Sequence, residues 1–190
     1  MIYLIRHGQT AKNKARVLQG RADEPLNDNG VRQAEQARAL FRTKGITFDR
    51  VYSSPLQRAI RTAQIIAPEA EIHTDDRLLE MDYGPYEGTS LVTPAPEVLR
   101  FFMDFVNNPA PAGMESLDAV TARLGDFLCA LHGTPGNILI STHAIAMKGA
   151  LEYLTPDSGG SYWGKHIRNC DVYAADMTDT GYTVPTELKF

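Results

Sequence analysis

Two histidines stand directly after short apolar segments of the chain. Residues 1–5 (MIYLI) lead into Arg6 and His7. Residues 137–141 (NILIS) lead, after one threonine, into His143. Imidazole can act as a nucleophile or move a proton near neutral pH, and the arginine guanidinium binds oxyanions. A lone histidine at a strand end is more often structural, but two of them, one preceded by arginine, predict a shared pocket for an anion.

A further cation is predicted near the same pocket. Ser54 and Pro55 follow an apolar segment that ends near Ser53, and they combine capping-box spacing with proline in the first helical turn. Arg58 would lie one turn into that helix, near an N-terminus that already favours anions. The alternative is an exposed surface arginine, the commoner fate of this residue type, and Arg61 fits that alternative better.

The elements that must position these residues alternate along the chain. Short apolar runs predict strands at 1–5, 48–53, 71–74, 136–142, 172–175 and 182–188. Periodicity and capping residues predict helices at 27–44, 54–67, 97–107 and 117–131, and another from Ala144. This order predicts an α/β fold, a three-layer α/β/α sandwich with a mostly parallel central sheet. We interpret 1–190 as one domain, with the irregular segment 82–113 inserted as a lid over one end of the sheet.

Composition and charge exclude several classes of protein. A formal net charge of −4 and a pI of about 5.7 argue against nucleic acid or a membrane surface as the partner. The longest apolar segments are far too short to span a bilayer, and the N-terminus does not read as a secretory signal. Cys129 and Cys170 are the only cysteines and lack metal-ligand spacing, so we predict a reduced, cytoplasmic protein.

An ordered set of short motifs runs from residue 2 to about residue 145. It begins with the segment 4–10 (LIRHGQT). It continues with Asn13, Gln19 and Gly20, the segment 53–59 (SSPLQRA), Leu79 and Glu80, Gly84, Glu87 and Gly88, the segment 113–116 (GMES), and Thr142 and His143. Together these motifs resemble those of the histidine phosphatase superfamily, which includes the cofactor-dependent phosphoglycerate mutases and many small phosphatases.

The resemblance implies a phosphoglycerate mutase-like fold and a reaction through a phosphohistidine. It implies that His7 is the nucleophile and that Glu80 is the general acid and base, which must then hold a proton near neutral pH. The implied phosphate ligands are Arg6, Asn13, Arg58 and His143, the last of them protonated when phosphate is bound. Gln19, Gly20 and Tyr83 are weaker candidates for contacts with the substrate.

The residue types fit these roles on their own chemistry. Arg6 and Arg58 should disfavour protonation of His7, because like charges destabilise the imidazolium ion. Their planar guanidinium groups also match the equatorial oxygens of a transferring phosphoryl group. Three positions depart from the family pattern: Ala144 replaces a glycine, Tyr86 replaces a tryptophan, and Met114 interrupts a glycine–glutamate pair before Glu115.

Rival chemistries lack the residues that they require. A cysteine-based phosphatase needs arginine six residues after its thiolate, but Pro135 and Asp176 occupy those positions. No nucleotide-binding loop of the type G-x-x-x-x-G-K-[ST] occurs. His73 and the following acidic pair, Asp75 and Asp76, fit solvated surface better than a metal site. We therefore predict no metal ion and no cofactor.

The sequence favours a hydrolase over a mutase. Mutases of this family usually have a larger insertion and a tail over the site, whereas only 82–113 can form a lid here. That lid is aromatic and has one cation, Arg100, which suits a bulky or partly apolar leaving group, although at least two of its phenylalanines should simply pack. The substrate could also carry a second anionic group, because the first loop offers four cations that could bind it: Lys12, Lys14, Arg16 and Arg21.

We thus predict a phosphomonoesterase for small phosphorylated substrates, a histidine acid phosphatase-type hydrolase that is broad in specificity or of the α-ribazole phosphatase type. A phosphoglycerate mutase is the alternative within the family. A non-catalytic phosphate-binding or interaction module is the alternative of another class, and a phosphatase of protein phosphohistidine ranks lower. Tyr162 and Trp163 are open to interpretation as a homodimer surface or as packing within the chain.

Overall fold

The computed structural model describes residues 1–189. Its strands are β1 Ile2–Arg6, β2 Arg50–Ser53, β3 Ile72–Thr74, β4 Ile138–Thr142, β5 Val172–Ala175, β6 Met177–Thr178, β7 Gly181–Tyr182 and β8 Thr186–Leu188. Its α-helices are α1 Ala11–Lys14, α2 Asp28–Thr43, α3 Gln57–Ile66, α4 Pro96–Met103, α5 Leu117–Leu131 and α6 Ala144–Leu154. Short 3-10 turns lie at Asp76–Leu78, Gly84–Tyr86 and Pro156–Ser158.

The central sheet has six strands in the order β3-β2-β4-β1-β5-β8. The first four strands in this order, β3, β2, β4 and β1, are parallel to one another. β5 then pairs antiparallel with β1, and β8 pairs antiparallel with β5. This topology confirms the prediction of an α/β fold with a mostly parallel sheet. The register pairs Arg6 of β1 with Thr142 of β4, so the residues that follow, His7 and His143, leave adjacent strands at the same edge.

Each face of the sheet carries an apolar core. On β1, Ile2 and Leu4 belong to one core and Tyr3 and Ile5 to the other, as the two-residue period of a strand requires. The first core includes the buried faces of α5 and α6, and the second includes those of α2 and α3. Helices therefore cover both faces of the sheet, which gives the three layers that the alternating pattern predicts.

Three predicted boundaries are wrong, each for a reason that the structure shows. Helix α3 begins at Gln57 because the backbone N–H of Ser54 still donates to Ser141 of β4, at 3.0 Å, and so continues the sheet. Helix α4 ends at Met103, and the Asp104 side chain that follows accepts from the backbone N–H of Asn107 at 3.1 Å. The predicted strand at 182–188 divides into β7 and β8, and Pro185, which has no N–H to donate, lies between them.

Residues 82–113, which the sequence analysis interprets as a lid and for which we keep that name, contain one 3-10 turn and α4. Tyr86 donates its hydroxyl to Glu97 at 3.0 Å, which ties the turn to the helix. Phe101 and Phe105 are buried, which confirms that at least two of the lid phenylalanines pack against the body. Trp163 is also buried, as part of the first core, so its indole packs within the chain. Among residues 1–189, no helix has the length and apolarity needed to cross a bilayer.

Candidate active site

The shared edge of the sheet brings together side chains from three separate segments. His7 follows β1, Arg58 lies in the first turn of α3, and His143 follows β4. The His7 and His143 rings are 5.1 Å apart between centroids, and Arg58 Nε lies 3.3 Å from His7 Nε2. All three side chains are almost wholly buried, with exposed fractions of 3%, 0% and 0% respectively. These residues form what we call the floor of the site, together with Arg6.

The hydrogen bonds of His7 define its tautomer. Nδ1 lies 2.7 Å from the Gly8 carbonyl oxygen, which can only accept, so Nδ1 carries the proton. Arg58 Nε, which can only donate, points at Nε2, so Nε2 carries a lone pair. The loop that holds this geometry needs glycine at residue 8, because a Cβ there would collide with the Gly30 carbonyl group. The ring therefore presents a neutral, nucleophilic nitrogen beside a guanidinium group.

The electrostatic environment keeps both histidines neutral. Burial lowers the pKa of His7 well below its usual value, and Arg58 and then Arg6 lower it further. The pKa of His143 is lowered well below its usual value as well, by burial first, then by Arg58, His7 and Arg6. The direction expected from the two arginines is thus correct, but desolvation is the larger cause.

Backbone carbonyl groups hold the Arg58 guanidinium in place. Its two terminal nitrogens donate to the carbonyl oxygens of Ala22 and Gly20, each at 2.7 Å. The backbone N–H of Gly20 donates in turn to the Glu87 carboxylate of the lid, at 2.9 Å. Gly20 therefore lies at the site through its backbone, where it joins the floor to the lid.

Several polar atoms of the site have no partner in the described chain. Only four buried side-chain nitrogen or oxygen atoms among residues 1–189 lack a hydrogen bond, and three lie here: Arg6 Nε, Gln19 Nε2 and His143 Nδ1. Arg6 is anchored by one terminal nitrogen, which donates to the Ile167 carbonyl at 2.6 Å. Arg6 Nε and Gln19 Nε2 can only donate, and buried donors without acceptors are costly, so the two together indicate a site for an anionic ligand.

Three residues that the sequence analysis did not assign to the site support the floor. Ser54 Oγ lies 2.8 Å from His143 Nε2 instead of capping α3. Thr62 Oγ1 accepts from the Gly8 N–H at 3.0 Å. Asn169 Nδ2 donates to the His7 carbonyl at 2.9 Å and approaches Asn13 Oδ1 at 3.3 Å, which fixes the Asn13 amide at the edge of the site. Ser54 was visible as a polar residue after a strand, but Asn169 carries no local signal.

Glu80 is held at the N-terminus of α6. Its Oε1 accepts from the backbone N–H groups of Met81, Ile145 and Ala146 at 2.9, 3.1 and 3.0 Å. Its Oε2 has only a longer contact, 3.3 Å, with the Ile145 N–H. Oε2 is therefore the oxygen left to exchange a proton with a ligand. Ala144, where the family usually has glycine, is simply the first residue of α6 and needs no glycine backbone.

A cavity of about 580 Å³ lies beside the floor, below residues of the lid; Arg6 of the floor lines it, whereas His7, Arg58 and His143 do not. Its walls include Arg6, Asn13, Gln19, Glu80, Tyr83, Phe102, Phe105, Lys148 and Trp163. Burial raises the pKa of Tyr83 well above its usual value, so its phenol stays neutral. The described cations of the first loop do not line this cavity: Lys12 pairs with Glu24 at 3.1 Å, and Arg21 donates to the Glu80 carbonyl at 2.8 Å.

Two of the residues that the sequence analysis weighed as a metal site, His73 and Asp75, make other contacts in the structure. Asp75 forms a salt bridge with Arg77 at 2.6 Å, and the His73 ring packs beside Tyr52 with centroids 5.6 Å apart. Glu115, after the departure at Met114, binds Arg123 at 2.7 Å and accepts from the Asp82 N–H at 3.0 Å. Glu115 thus anchors the beginning of the lid to α5.

Residues 2–186 match the family model of the histidine phosphatase superfamily (branch 1). The chain belongs to this superfamily. A probable phosphoglycerate mutase, GpmB, of Citrobacter koseri is 34% identical to it over 97% of this chain and 88% of the relative. The resemblance drawn from the sequence motifs is therefore confirmed at the level of the family.

Solved structures of the same fold carry several different names. A putative alpha-ribazole-5'-P phosphatase from Escherichia coli is 25% identical, with a TM-score of 0.83 over 100% of this chain and 95% of that one. A phosphoglycerate mutase from Thermus thermophilus is 26% identical, with a TM-score of 0.75 over 100% and 98%. A phosphoserine phosphatase from Entamoeba histolytica, in complex with 3-phosphoglyceric acid, is 25% identical, with a TM-score of 0.81 over 100% and 95%. Phosphatases and mutases thus share this architecture.

Proposed function

We propose that this histidine phosphatase superfamily member is a phosphomonoesterase that hydrolyses small phosphate esters through a phosphohistidine at His7. The observation that carries the proposal is the state of His7: a neutral ring whose Nε2 lone pair faces the Arg58 guanidinium. A phosphoryl group bound to that arginine would lie next to the nucleophile. Proximity of this kind, together with charge stabilisation, is the main source of catalysis in phosphoryl transfer.

In the first step, His7 Nε2 attacks phosphorus and the bond from phosphorus to the ester oxygen breaks. Arg58 and Arg6 stabilise the charge that spreads over the equatorial oxygens, with Asn13 as a further donor. The leaving oxygen takes a proton from Glu80 Oε2, the carboxylate oxygen with the fewest protein contacts. Nδ1 keeps its proton and its hydrogen bond to Gly8, which stabilises the phosphorylated ring.

In the second step, water attacks the phosphohistidine. Glu80 Oε2, now deprotonated, accepts a proton from the water, and the bond from Nε2 to phosphorus breaks. Inorganic phosphate and the starting form of His7 result. His143 is neutral without ligand, and a phosphoryl dianion beside it favours its protonation. His143 therefore binds the phosphoryl oxygens as a cation, together with Arg6 and Arg58, only when phosphate is bound.

A phosphoglycerate mutase is the second candidate, and the name of the Citrobacter koseri relative favours it. A mutase would return the phosphoryl group of His7 to another oxygen of the substrate and would depend on a bisphosphorylated activator. The two reactions differ in whether water reaches the intermediate. Release of inorganic phosphate therefore separates them.

The test measures phosphate release from an aryl phosphate, α-ribazole phosphate, 3-phosphoglycerate and fructose 2,6-bisphosphate, with a chelator present. The wild-type protein is compared with His7→Ala and with a control, His73→Ala, at an exposed histidine of β3. We expect chelator-resistant release that is lost in His7→Ala and kept in His73→Ala. Full release by His7→Ala would refute the assigned nucleophile, and isomerisation without release would favour the mutase.

A further inference from the structure

Lys148 is a buried cation that the proposed chemistry does not use. It is the only charged residue of the first eight positions of α6, in the otherwise apolar segment 144–151 (AIAMKGAL). The helix packs in the main core, yet the Lys148 side chain reaches the cavity and is only 8% exposed. A lysine in such a position loses most of its hydration, and that loss requires compensation by a charged or polar partner.

The protein supplies only part of that compensation. Lys148 Nζ donates to the Trp163 carbonyl at 2.6 Å and lies 4.8 Å from the centroid of the Phe105 ring. An ammonium group has three donors, and the described chain gives this one a single hydrogen-bond acceptor. The other N–H groups are therefore available to a ligand in the cavity.

The charged groups around the cavity make Lys148 the best-placed free cation. Arg6 and Glu80 lie at its floor side, and their effects on the ammonium oppose each other. At the rim, Lys165 lies 4.0 Å from the Glu187 carboxylate and near two tyrosine rings. The one acidic residue of the lid wall, Asp104, accepts from Asn107. Arg6 is taken up by the proposed phosphoryl site, and among the other described lysines and arginines that line the cavity only Lys148 is buried and forms no salt bridge with a carboxylate.

We propose that Lys148 binds a second anionic group, a carboxylate, on the leaving group of the substrate. This inference rests on the proposed phosphomonoesterase function and narrows its substrates to phosphate esters of small acids. The aromatic side chains of Phe105 and Trp163 then exclude water from the ion pair, which strengthens it. The cation for the second anion comes from α6, not from the first loop where the sequence offered four candidates.

The alternative is that Lys148 has only a structural role, in which its hydrogen bond to the Trp163 carbonyl holds that residue against α6. A matched pair of substrates separates the two roles: 3-phosphoglycerate and glycerol 3-phosphate differ only in a carboxylate against a hydroxymethyl group. We would measure kcat and KM for both, and for p-nitrophenyl phosphate, with wild type, Lys148→Met and Lys148→Arg. Lys165→Met tests the cation at the rim, and Lys44→Met, at an exposed lysine after α2, is the control.

We expect the wild type to prefer 3-phosphoglycerate, and Lys148→Met to reduce kcat/KM for it by about 10- to 100-fold, mainly through KM. Lys148→Arg should recover most of this loss, and glycerol 3-phosphate should change by less than about threefold. Equal losses for both substrates, a larger loss in Lys165→Met, or no preference in the wild type would each overturn the assignment of Lys148. The last measurement does not depend on how well a variant folds.

Failure of this inference is distinct from failure of the proposed function. If the wild type hydrolyses p-nitrophenyl phosphate but ignores the carboxylate, only the role of Lys148 is wrong. If the wild type hydrolyses none of the three esters, the phosphomonoesterase proposal fails, and the assignment of Lys148 fails with it.

Discussion

The floor of the site and the lid above it are built in different ways. The floor side chains His7, Arg58 and His143 are almost wholly buried and are fixed by hydrogen bonds to backbone carbonyls or to Ser54. The lid has two short helical segments, and several of its apolar side chains are exposed: Val92, Leu99, Met103 and Val106. The floor side chains are thus fixed by buried hydrogen bonds, whereas the three phenylalanines of the lid pack largely against one another.

Under the proposed function, we expect the floor to carry the chemistry that all substrates share and the lid to determine which substrates are preferred. A phosphoryl group is the same in every monoester, so a rigid set of donors can serve all substrates. The leaving groups differ, and the lid and Lys148 are what they would contact. Changes in the floor should therefore affect every substrate by a large factor, and changes in the lid should affect particular substrates by a small one.

The largest effect is expected from Arg58→Ala in the floor. Loss of its charge should lower kcat/KM by about 1,000-fold for every ester, because the transferring group loses its main cation. The variant should also be less stable, since the Gly20 and Ala22 carbonyl groups lose their donors. Steady-state kinetics and urea unfolding measure both effects. Arg61→Ala, one turn further along α3 and exposed, is the control, and an equal loss there would deny Arg58 its special role.

The next effect concerns Glu80, where the floor meets the leaving group. Glu80→Gln keeps the shape but cannot supply a proton, so kcat/KM for 3-phosphoglycerate, which reports the transfer of the phosphoryl group to His7, should fall by about 100- to 1,000-fold. The loss in kcat/KM should be much smaller for p-nitrophenyl phosphate, whose leaving group needs less protonation. Comparison of kcat/KM for the two esters checks this. A loss of equal size for both would assign Glu80 to positioning only.

The third effect is a dependence of stability on pH that originates in the floor. Because the pKa values of His7 and His143 are well below the usual value, the unfolded chain binds protons below about pH 6.5 that the folded chain does not. Their contribution to stability is present above that pH and is lost as pH falls through it. Urea unfolding should show a loss on the order of 1 kcal/mol per histidine between pH 7.5 and 5.5. His143→Gln should roughly halve this loss, and an unchanged loss would contradict the assignment.

The smallest effect is expected in the lid. Phe102 lines the cavity and lies beside Tyr83, with ring centroids 6.1 Å apart. Phe102→Ala should raise KM by about three- to tenfold for aryl esters with little change in kcat, since it removes apolar contact with the leaving group alone. Leu99→Ala, on the exposed side of the same helix, is the control and should change neither constant. A loss of kcat as large as the losses expected for changes in the floor would show that the lid also takes part in the chemistry.

Much of the fold followed from local pattern. The stripe of apolar residues in the predicted helix 117–131 gave the observed bounds of α5, and Asn27 caps α2 as predicted. Boundaries failed where a distant partner intervened: Ser54 continues the sheet through Ser141 of β4, and its hydroxyl serves His143. A capping pattern is local in sequence, but the competing hydrogen bonds come from a strand more than eighty residues away.

The sequence by itself determined the residue types of the proposed phosphoryl site and the strand ends that carry them. Motifs such as Arg6–His7 are contiguous, and parallel strands place successive carboxyl ends at one edge. Only the tertiary structure decided the tautomer of His7, the burial that most lowers the pKa of both histidines, and the entry of Lys148 into the cavity. These properties depend on burial and on donors from remote segments, and burial is a sum over the whole packed chain that no local spacing encodes.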